Sequence, residues 1–285
     1  MRLVYASNPL SLMIEHYEPI SFEYNGWEIC DDYAYDEKHD TLSEYRIKVL
    51  SKDIDTRDEL DNLASEGRKL TKMITKLLPY IALVSLNEPQ QTDFTRTRLY
   101  INTKKGAKGW NSNFEEIEKE LMAQENNLLK ISCSFAGTIH YVKLQNSPME
   151  ELKIALENHE ALDENIRFLI FLHNAIIESE DINRYMLIGK ALEIVNVIYP
   201  YQKGKPDRRI QENHPELLTF FEGMTLKDLI CLSNNRQESR HFIKSLTDIH
   251  PQMTEDEAKK FYLCSVRLIT NIIRIKLGLK SLSFV

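Results

Sequence analysis

The sequence predicts an α+β protein: a mixed α/β N-terminal domain over residues 1–146, followed by an all-α helical bundle over residues 147–285. Short runs with strand character, bounded by turn residues, are confined to the first half. Apolar residues recur at helical spacing through nearly all of the second half. The 285 residues include only 9 Gly and 9 Pro and are 42% apolar, which is typical of a globular, helix-rich chain long enough for two cores.

The first half alternates predicted strands with two predicted helices. The strand-like runs are Ser21–Glu28, Tyr45–Ser51, Tyr80–Leu86, Arg96–Asn102 and a hairpin over Lys130–Leu144. The helices are Arg57–Leu78, whose leucines fall mainly on one face before Pro79, and Asn113–Gln124.

This half offers only weak site candidates. The acidic residues Asp31, Asp32, Asp36, Glu37 and Asp40 lack the ligand spacing and turn glycine of a calcium loop, so we interpret them as a solvated acidic loop. Trp27 and Trp110 are better explained as core residues than as platforms for bases. Cys133 and His140 face each other across the predicted hairpin, but two ligands do not make a zinc site.

A junction at Asn146-Ser147-Pro148 introduces the helical half, because Pro disfavours helix before it and suits the first turn after it. Asp163 and Asp181 are predicted helix caps, and Thr254 with Glu257 forms a predicted capping box. The predicted helices are Met149–Asn158, Glu164–Ile177, Ile182–Ile198, Pro215–Met224, Leu226–Leu232 and a final helix that ends near Leu277, before Gly278.

The final helix carries apolar residues around most of its circumference. Such a helix must be buried on several sides. It is therefore the centre of a bundle, half of a dimer interface, or both.

Charge, cysteine and hydropathy patterns exclude several classes. The formal net charge of −7 is shared by both halves, which disfavours a general nucleic-acid coater but allows a local basic groove. Four widely spaced Cys suggest reduced thiols. No secretory signal is visible and no apolar run approaches the roughly 20 residues of a membrane span. We expect a cytoplasmic protein without membrane contact.

A polar island, Ser233–His241, stands between the helical sequence upstream and the final helix. It contains Arg236 and His241 in an R-x4-H arrangement. Arginine holds a forked positive charge suited to phosphate, and the pKa of histidine lies nearest neutrality, so the pair suits phosphodiester chemistry without a metal. The spacing alone is weak evidence, because Arg167 with His173, and Arg208 or Arg209 with His214, also match R-x4-6-H.

The order of elements distinguishes the island from these other matches. Two long helices come first, the second with Ala191-Leu192-Glu193; a variable loop and short helices follow, then Asn235-Arg236, His241 and a long terminal helix. This layout, over roughly Met149–Leu279, resembles the HEPN superfamily, especially the ApeA-like group of its RNase branch. The family commonly has Asn, Asp or His after the Arg, where this chain has Gln237.

The resemblance implies a metal-independent endoribonuclease that needs no cofactor and leaves a 2′,3′-cyclic phosphate. It implies that His241 acts as general base or acid and that Arg236 binds the scissile phosphate, while Asn235 contacts the phosphate or fixes the loop. Orienting and flanking-phosphate roles would fall to Glu193, Glu238, Arg240, Lys203, Lys205, Arg208 and Arg209. Glu193 and the loop cations also fit a plain solvated surface.

The expected partners are RNA, a second copy of the chain through the C-terminal helices, and a regulatory protein. In one continuous helix, positions 236 and 241 lie ~140° apart. The island is therefore expected to begin outside a helix or to bend, with Asn234 and Asn235 as cap or turn residues, or else to pair with another copy across a twofold. The resemblance by analogy suggests a toxin or antiphage role, with the N-terminal domain as sensor or specificity domain. The alternatives are a non-catalytic HEPN module that binds nucleotide, RNA or protein, and an unrelated interaction protein.

Overall fold

The computed structural model describes residues 2–6, 20–36, 41–54, 57–81, 98–102, 148–179, 181–205, 207–241 and 255–282. They form a mixed α+β architecture of two compact units. The described residues up to Leu156 belong to the first unit and those from Glu157 to the second. This division lies within the helix that follows the predicted junction. The predicted helix over 113–124, the hairpin over 130–144, Trp110, Cys133 and His140 lie outside the described residues.

The first unit contains a five-stranded antiparallel sheet in the order β2-β3-β4-β1-β5. Its strands are β1 (Arg2–Ala6), β2 (Ser21–Tyr24), β3 (Trp27–Asp36), β4 (Thr41–Leu50) and β5 (Arg98–Asn102). The strands predicted near 45–51 and 96–102 are confirmed as β4 and β5. Tyr80 instead ends a 3₁₀ turn, Leu78–Tyr80, and Ile81 follows it with extended backbone angles. Residues 82–86 of the predicted strand lie outside the described residues.

The run predicted as one strand over Ser21–Glu28 is instead a hairpin. Asn25 and Gly26 both have positive φ, 50° and 77°, which is the two-residue turn that connects β2 to β3. Trp27 is buried, as predicted. The acidic loop prediction is wrong for Asp31, Asp32 and Asp36, since all three lie in β3, and the buried Asp31 carboxylate accepts a hydrogen bond from the backbone N–H of Ile20.

Helix α1 (Arg57–Leu77) packs on β1, and its bounds confirm the prediction. Apolar residues at helical spacing make its buried face: Leu60, Leu63, Leu70, Ile74 and Leu77. Gly67 lies on the same face, against the rings of Tyr5 and Trp27. The Tyr5 hydroxyl donates to the backbone carbonyl of Ala64 at 2.9 Å, which fixes the helix on the strand.

Helix α2 (Pro148–His159) starts at the proline that the sequence analysis placed in its first turn. In the second unit, α3 (Glu164–Glu178) begins where Asp163 accepts a hydrogen bond from the N–H of Ile166, as predicted. The other helices are α4 (Asp181–Ile198), α5 (Arg208–Asn213), a 3₁₀ helix (Pro215–Phe221), α6 (Leu226–His241) and α7 (Glu255–Lys276). No described helix has the length and apolarity needed to cross a membrane.

Helix α7 is the central element of the second unit and contacts α3, α4, α6 and the 3₁₀ helix. Every residue from Leu268 to Arg274 is buried, and at 3.6 residues per turn these positions point in all directions. The prediction of a helix buried on several sides is confirmed within a single chain. Each fully buried isoleucine among them contributes roughly 1.5–3 kcal/mol relative to an exposed one.

The C-terminus of α7 is closed as the sequence predicts. Gly278 has φ of 78°, and the N–H groups of Leu279 and Gly278 donate to the carbonyls of Arg274 and Ile275. The chain then folds back, because Arg274 Nε donates to the carbonyl of Lys280 and Asn271 Oδ1 accepts from the N–H of Leu282. Buried polar side chains therefore fix the end of an otherwise apolar helix.

Candidate nucleic-acid interface

Helix α6 starts with a complete capping box. The Thr225 hydroxyl accepts from the N–H of Asp228 at 3.1 Å, and the Asp228 carboxylate accepts from the N–H of Thr225 at 2.9 Å. Asp207 lies in the connector, which is the stretch over residues 199–225 between α4 and α6. Its carboxylate accepts a hydrogen bond from the N–H of Leu226 at 3.0 Å. Two carboxylates at one positive helix end satisfy donors that no helical carbonyl can reach.

The polar island is helical throughout. For residues 234–241 the structure describes the backbone, and it continues α6 without interruption to His241. The predicted end at Leu232, the predicted turn or bend and the capping role of Asn234 and Asn235 are wrong. Arg, Gln and Glu in the second half of the island are good helix formers, and they extend a helix whose cap lies at Thr225.

This continuity fixes the angular positions of the predicted catalytic residues. The backbone positions of Arg236 and His241 lie ~140° apart around α6, so one copy of the helix separates them. Arg236 and Arg240 stand three and seven positions after the buried Ser233, on the same row of the helix. The positions of Asn235 and Glu238 lie on the opposite side.

The connector between α4 and α6 carries the other predicted cations. A tight turn over Gln202–Lys205 is closed by a hydrogen bond from the N–H of Lys205 to the carbonyl of Gln202 at 2.9 Å. Gly204 takes φ of 80° at the third position, as a type II turn requires. Lys203 and Lys205 are exposed on this turn.

Three of the four predicted loop cations converge on one carboxylate at α5. Arg208 Nε lies 2.6 Å from Glu212 Oε1, and Arg209 Nη1 lies 4.0 Å from Glu212 Oε2. The hydrogen bond from Arg208, together with the charges of Arg208, Arg209 and Lys205, lowers the pKa of the Glu212 carboxyl. Over residues 203–212, four cations against two carboxylates, Asp207 and Glu212, leave a net positive charge.

The predicted site residues therefore fall into two groups at different ends of α6. Asp207 joins the connector to Leu226 at the helix start, whereas Arg236 lies about 15 Å further along the axis at 1.5 Å per residue.

Glu193, predicted to orient Arg236, is exposed on α4, with Lys190 and Val197 on the same exposed side. The helix buries the opposite face through Ile188, Leu192 and Val195. In the part of the chain that the structure describes, Glu193 forms no ion pair.

The sequence does not predict a cluster of titratable groups that lies within the connector and at the end of α7. The Tyr199 ring is buried, and the His214 ring packs against it edge-on with centroids 5.9 Å apart. Glu216 Oε1 lies 3.4 Å from His214 Nδ1, and Lys276 Nζ lies 5.9 Å from the Tyr199 ring centroid. Burial, and secondarily the Glu216 charge, raise the pKa of Tyr199 to about 12, so the phenol stays protonated.

The competing R-x4-6-H matches separate as well. Arg208 and Arg209 interact with Glu212, while His214 interacts with Tyr199 and Glu216. The T-shaped contact between His214 and Tyr199 is a packing effect between residues distant in sequence, and no local sequence signal could have found it.

The two residues of the last match, Arg167 and His173, have different environments on α3. Arg167 is exposed and donates to the carbonyl of Glu160. His173 is 2% exposed, and its Nε2 lies 2.8 Å from Oγ1 of Thr270. They are a surface arginine and a core histidine.

Over the described residues, no three or more His, Cys, Asp or Glu side chains cluster in a way that would hold a metal ion. No family model, curated protein or solved structure matches the chain. The chemistry of the site must therefore be argued from its own residues.

Proposed function

We propose that the helical unit is a HEPN-type, metal-independent endoribonuclease that acts as a homodimer. The observation that supports it is the placement of Arg236 and His241 on the helix that precedes a terminal helix whose stretch from Leu268 to Arg274 is buried on all sides. This is the element order of the HEPN layout. The connector adds exposed cations that suit flanking phosphates.

In this reaction the ribose 2′-oxygen attacks the adjacent phosphorus, the bond to the 5′-oxygen breaks, and a 2′,3′-cyclic phosphate forms. His241 takes the 2′-hydroxyl proton or gives a proton to the leaving 5′-oxygen, a role typically worth 10²- to 10⁴-fold. Arg236 stabilises the charge on the phosphoryl oxygens. Arg240, on the same row as Arg236, supports the phosphate contact, whereas the roles that the resemblance implies for Asn235 and Glu238 are not supported by their positions on the opposite side of α6.

Because α6 is continuous, this proposal requires a twofold axis that relates two copies of the chain. One helix holds Arg236 and His241 ~140° apart, so the working pair takes Arg236 from one protomer and His241 from the other. The centre of α7 is already covered by its own chain. The interface therefore uses α6 together with the less buried start of α7, where Lys259 and Lys260 are exposed and Tyr262 and Leu263 are partly exposed.

The first unit serves in this proposal as a sensor or specificity domain, and a toxin or antiphage role with a regulatory protein partner follows by analogy alone. Every reacting group in this proposal comes from the second unit.

The test is cleavage of a single-stranded RNA in EDTA by the wild type, Arg236→Ala and His241→Ala. Both variants should lose at least about a hundredfold in rate. Arg167→Ala is the matched control, because it removes an exposed arginine from an R-x4-6-H match to which we assign no function. Cleavage undiminished in both island variants would overturn the mechanism.

The uninterrupted α6 also favours a second candidate, a non-catalytic module that binds RNA, nucleotide or protein. Along a single helix the positions of Arg236 and Arg240 share one row that does not include His241, an arrangement that suits phosphate binding more than proton transfer. No cleavage by the wild type, together with RNA binding that weakens in Arg236→Ala but not in His241→Ala, would select this candidate.

A further inference from the structure

We propose that the turn around Tyr201 is a docking site for single-stranded RNA, in which the Tyr201 ring stacks on a base while the connector cations hold the phosphates. The inference rests on the proposed function for its choice of RNA and names a substrate contact that lies away from the Arg/His pair.

Two tyrosines one residue apart have opposite environments. Tyr199 is 4% exposed and is packed between His214 and Lys276, so it anchors the base of the turn. Tyr201 is 46% exposed. An anchored turn with an exposed ring keeps the aromatic surface accessible to a ligand.

The backbone that carries Tyr201 is fixed by hydrogen bonds. Its N–H donates to Asn196 Oδ1 at 3.1 Å, at the end of α4. The following Gln202–Lys205 turn is closed at 2.9 Å with Gly204 in the left-handed region. A ring on an ordered backbone loses little conformational entropy when a base stacks on it.

The charges around the ring point to a phosphate-bearing ligand. Lys203 and Lys205 are exposed on the turn, and Arg208 and Arg209 are exposed on α5 directly after it. Glu212 and Asp207 offset two of these four positive charges, so two positive charges remain. A positive surface with an exposed aromatic side chain is how proteins hold single strands without reading their sequence.

A duplex hides its base faces inside the stack, whereas a single strand exposes them. Stacking on an aromatic side chain therefore selects single-stranded RNA over the duplex of the same sequence. The phosphate contacts predict that affinity falls as salt rises.

The experiment measures fluorescence anisotropy of labelled oligouridine, single-stranded and annealed to oligoadenine, with full-length protein. All proteins carry His241→Ala, so that RNA stays intact. Tyr201→Ala should weaken binding roughly five- to a hundredfold, the range that loss of one base stack gives, whereas Tyr201→Phe, which keeps the ring, should bind like the parent. Phe171→Ala, which removes another exposed aromatic, is the matched control.

Lys203→Ala and Lys205→Ala provide a second measurement. Each should reduce the slope of log affinity against log salt by about 0.7, the value for one phosphate contact on a single strand. Tyr201→Ala should leave that slope unchanged.

Equal affinities of Tyr201→Ala and the parent, or equal affinities for duplex and single strand, would overturn the docking site. Failure of the proposed ribonuclease is recognised separately, by absence of cleavage in the wild type. Tyr201-dependent binding without cleavage keeps the docking site and removes the reaction, while cleavage without Tyr201 dependence does the reverse.

Discussion

His173 Nε2 lies 2.8 Å from Oγ1 of Thr270, and this buried contact joins α3 to the central helix α7. Desolvation by burial lowers the pKa of His173 to about 3. The imidazole is therefore neutral in the folded protein over most of the acidic range, in which a free histidine binds a proton.

Stability should consequently rise with pH between about 3 and 6.5. In that window the unfolded chain binds the extra proton, so the free energy of unfolding increases by up to about 1.4 kcal/mol per pH unit from this residue. Above pH 6.5 both states are neutral and the contribution is constant.

Urea denaturation of the wild type and His173→Gln from pH 4 to pH 8 checks this. Glutamine keeps a polar partner for Thr270 and does not titrate. The difference between the two proteins at pH 8 reports packing alone, and the variant should lose part of the acid dependence below it. Parallel pH profiles would contradict the assignment.

Gly67 should not tolerate alanine, although alanine is the better helix former. A Cβ on Gly67 would meet the Tyr5 ring and would lie 2.8 Å from Cη2 of Trp27. Both rings are buried and Tyr5 is tethered to Ala64, so the clash should cost about 1–3 kcal/mol of folding stability. Chemical denaturation should show this loss for Gly67→Ala and none for Ser65→Ala, an exposed position on the same helix.

Asp207→Ala should destabilise the helical unit more than Asp207→Asn. Alanine leaves the N–H of Leu226 without its acceptor, a loss of about 1 kcal/mol, whereas asparagine retains an acceptor oxygen. Burial raises the pKa of Asp207, and the nearby Asp228 charge adds to this, so the uncharged amide removes an unfavourable interaction. The measurement is the free energy of unfolding at neutral pH; an asparagine variant as unstable as the alanine variant would contradict the capping role.

Elements with a local signature were predictable from sequence. Asp163 before a run of apolar periodicity, and Gly278 after one, each supply a hydrogen-bonding or backbone property that the helix end needs. Asn25-Gly26 carries an equally local turn signal, although the apolar alternation around it predicts a strand. Its two positive φ values show that the dipeptide outweighed the apolar alternation around it.

Elements set by distant contacts were not predictable. Asp31 is buried in β3 because its carboxylate meets the N–H of Ile20, a pairing that the run of acids does not encode. The island is polar and contains two asparagines, yet the cap that starts its helix is Thr225, with help from Asp207 in the connector. At the site, the residue types can be predicted from the sequence. The angle between Arg236 and His241, and their separation from the connector cations along α6, follow only from the continuous helix.

That continuity gives the sharpest test of the proposed enzyme. Because α6 places the positions of Arg236 and His241 ~140° apart, the working pair must come from two protomers. Arg236→Ala and His241→Ala, each inactive alone, should therefore complement each other when they are coexpressed with different tags and the mixed dimers are isolated by selecting for both tags in turn. Each mixed dimer has one intact pair of two, so the isolated mixed dimers should recover about half of wild-type activity. The double variant Arg236→Ala/His241→Ala, coexpressed with wild type, is the control: its mixed dimers contain no pair formed by Arg236 of one protomer and His241 of the other. If the wild-type protein is active and dimeric but the coexpressed variants recover no activity, the working pair would lie within one protomer. That result would contradict the shared site, which is required because a helix without a bend cannot bring both residues to one phosphate.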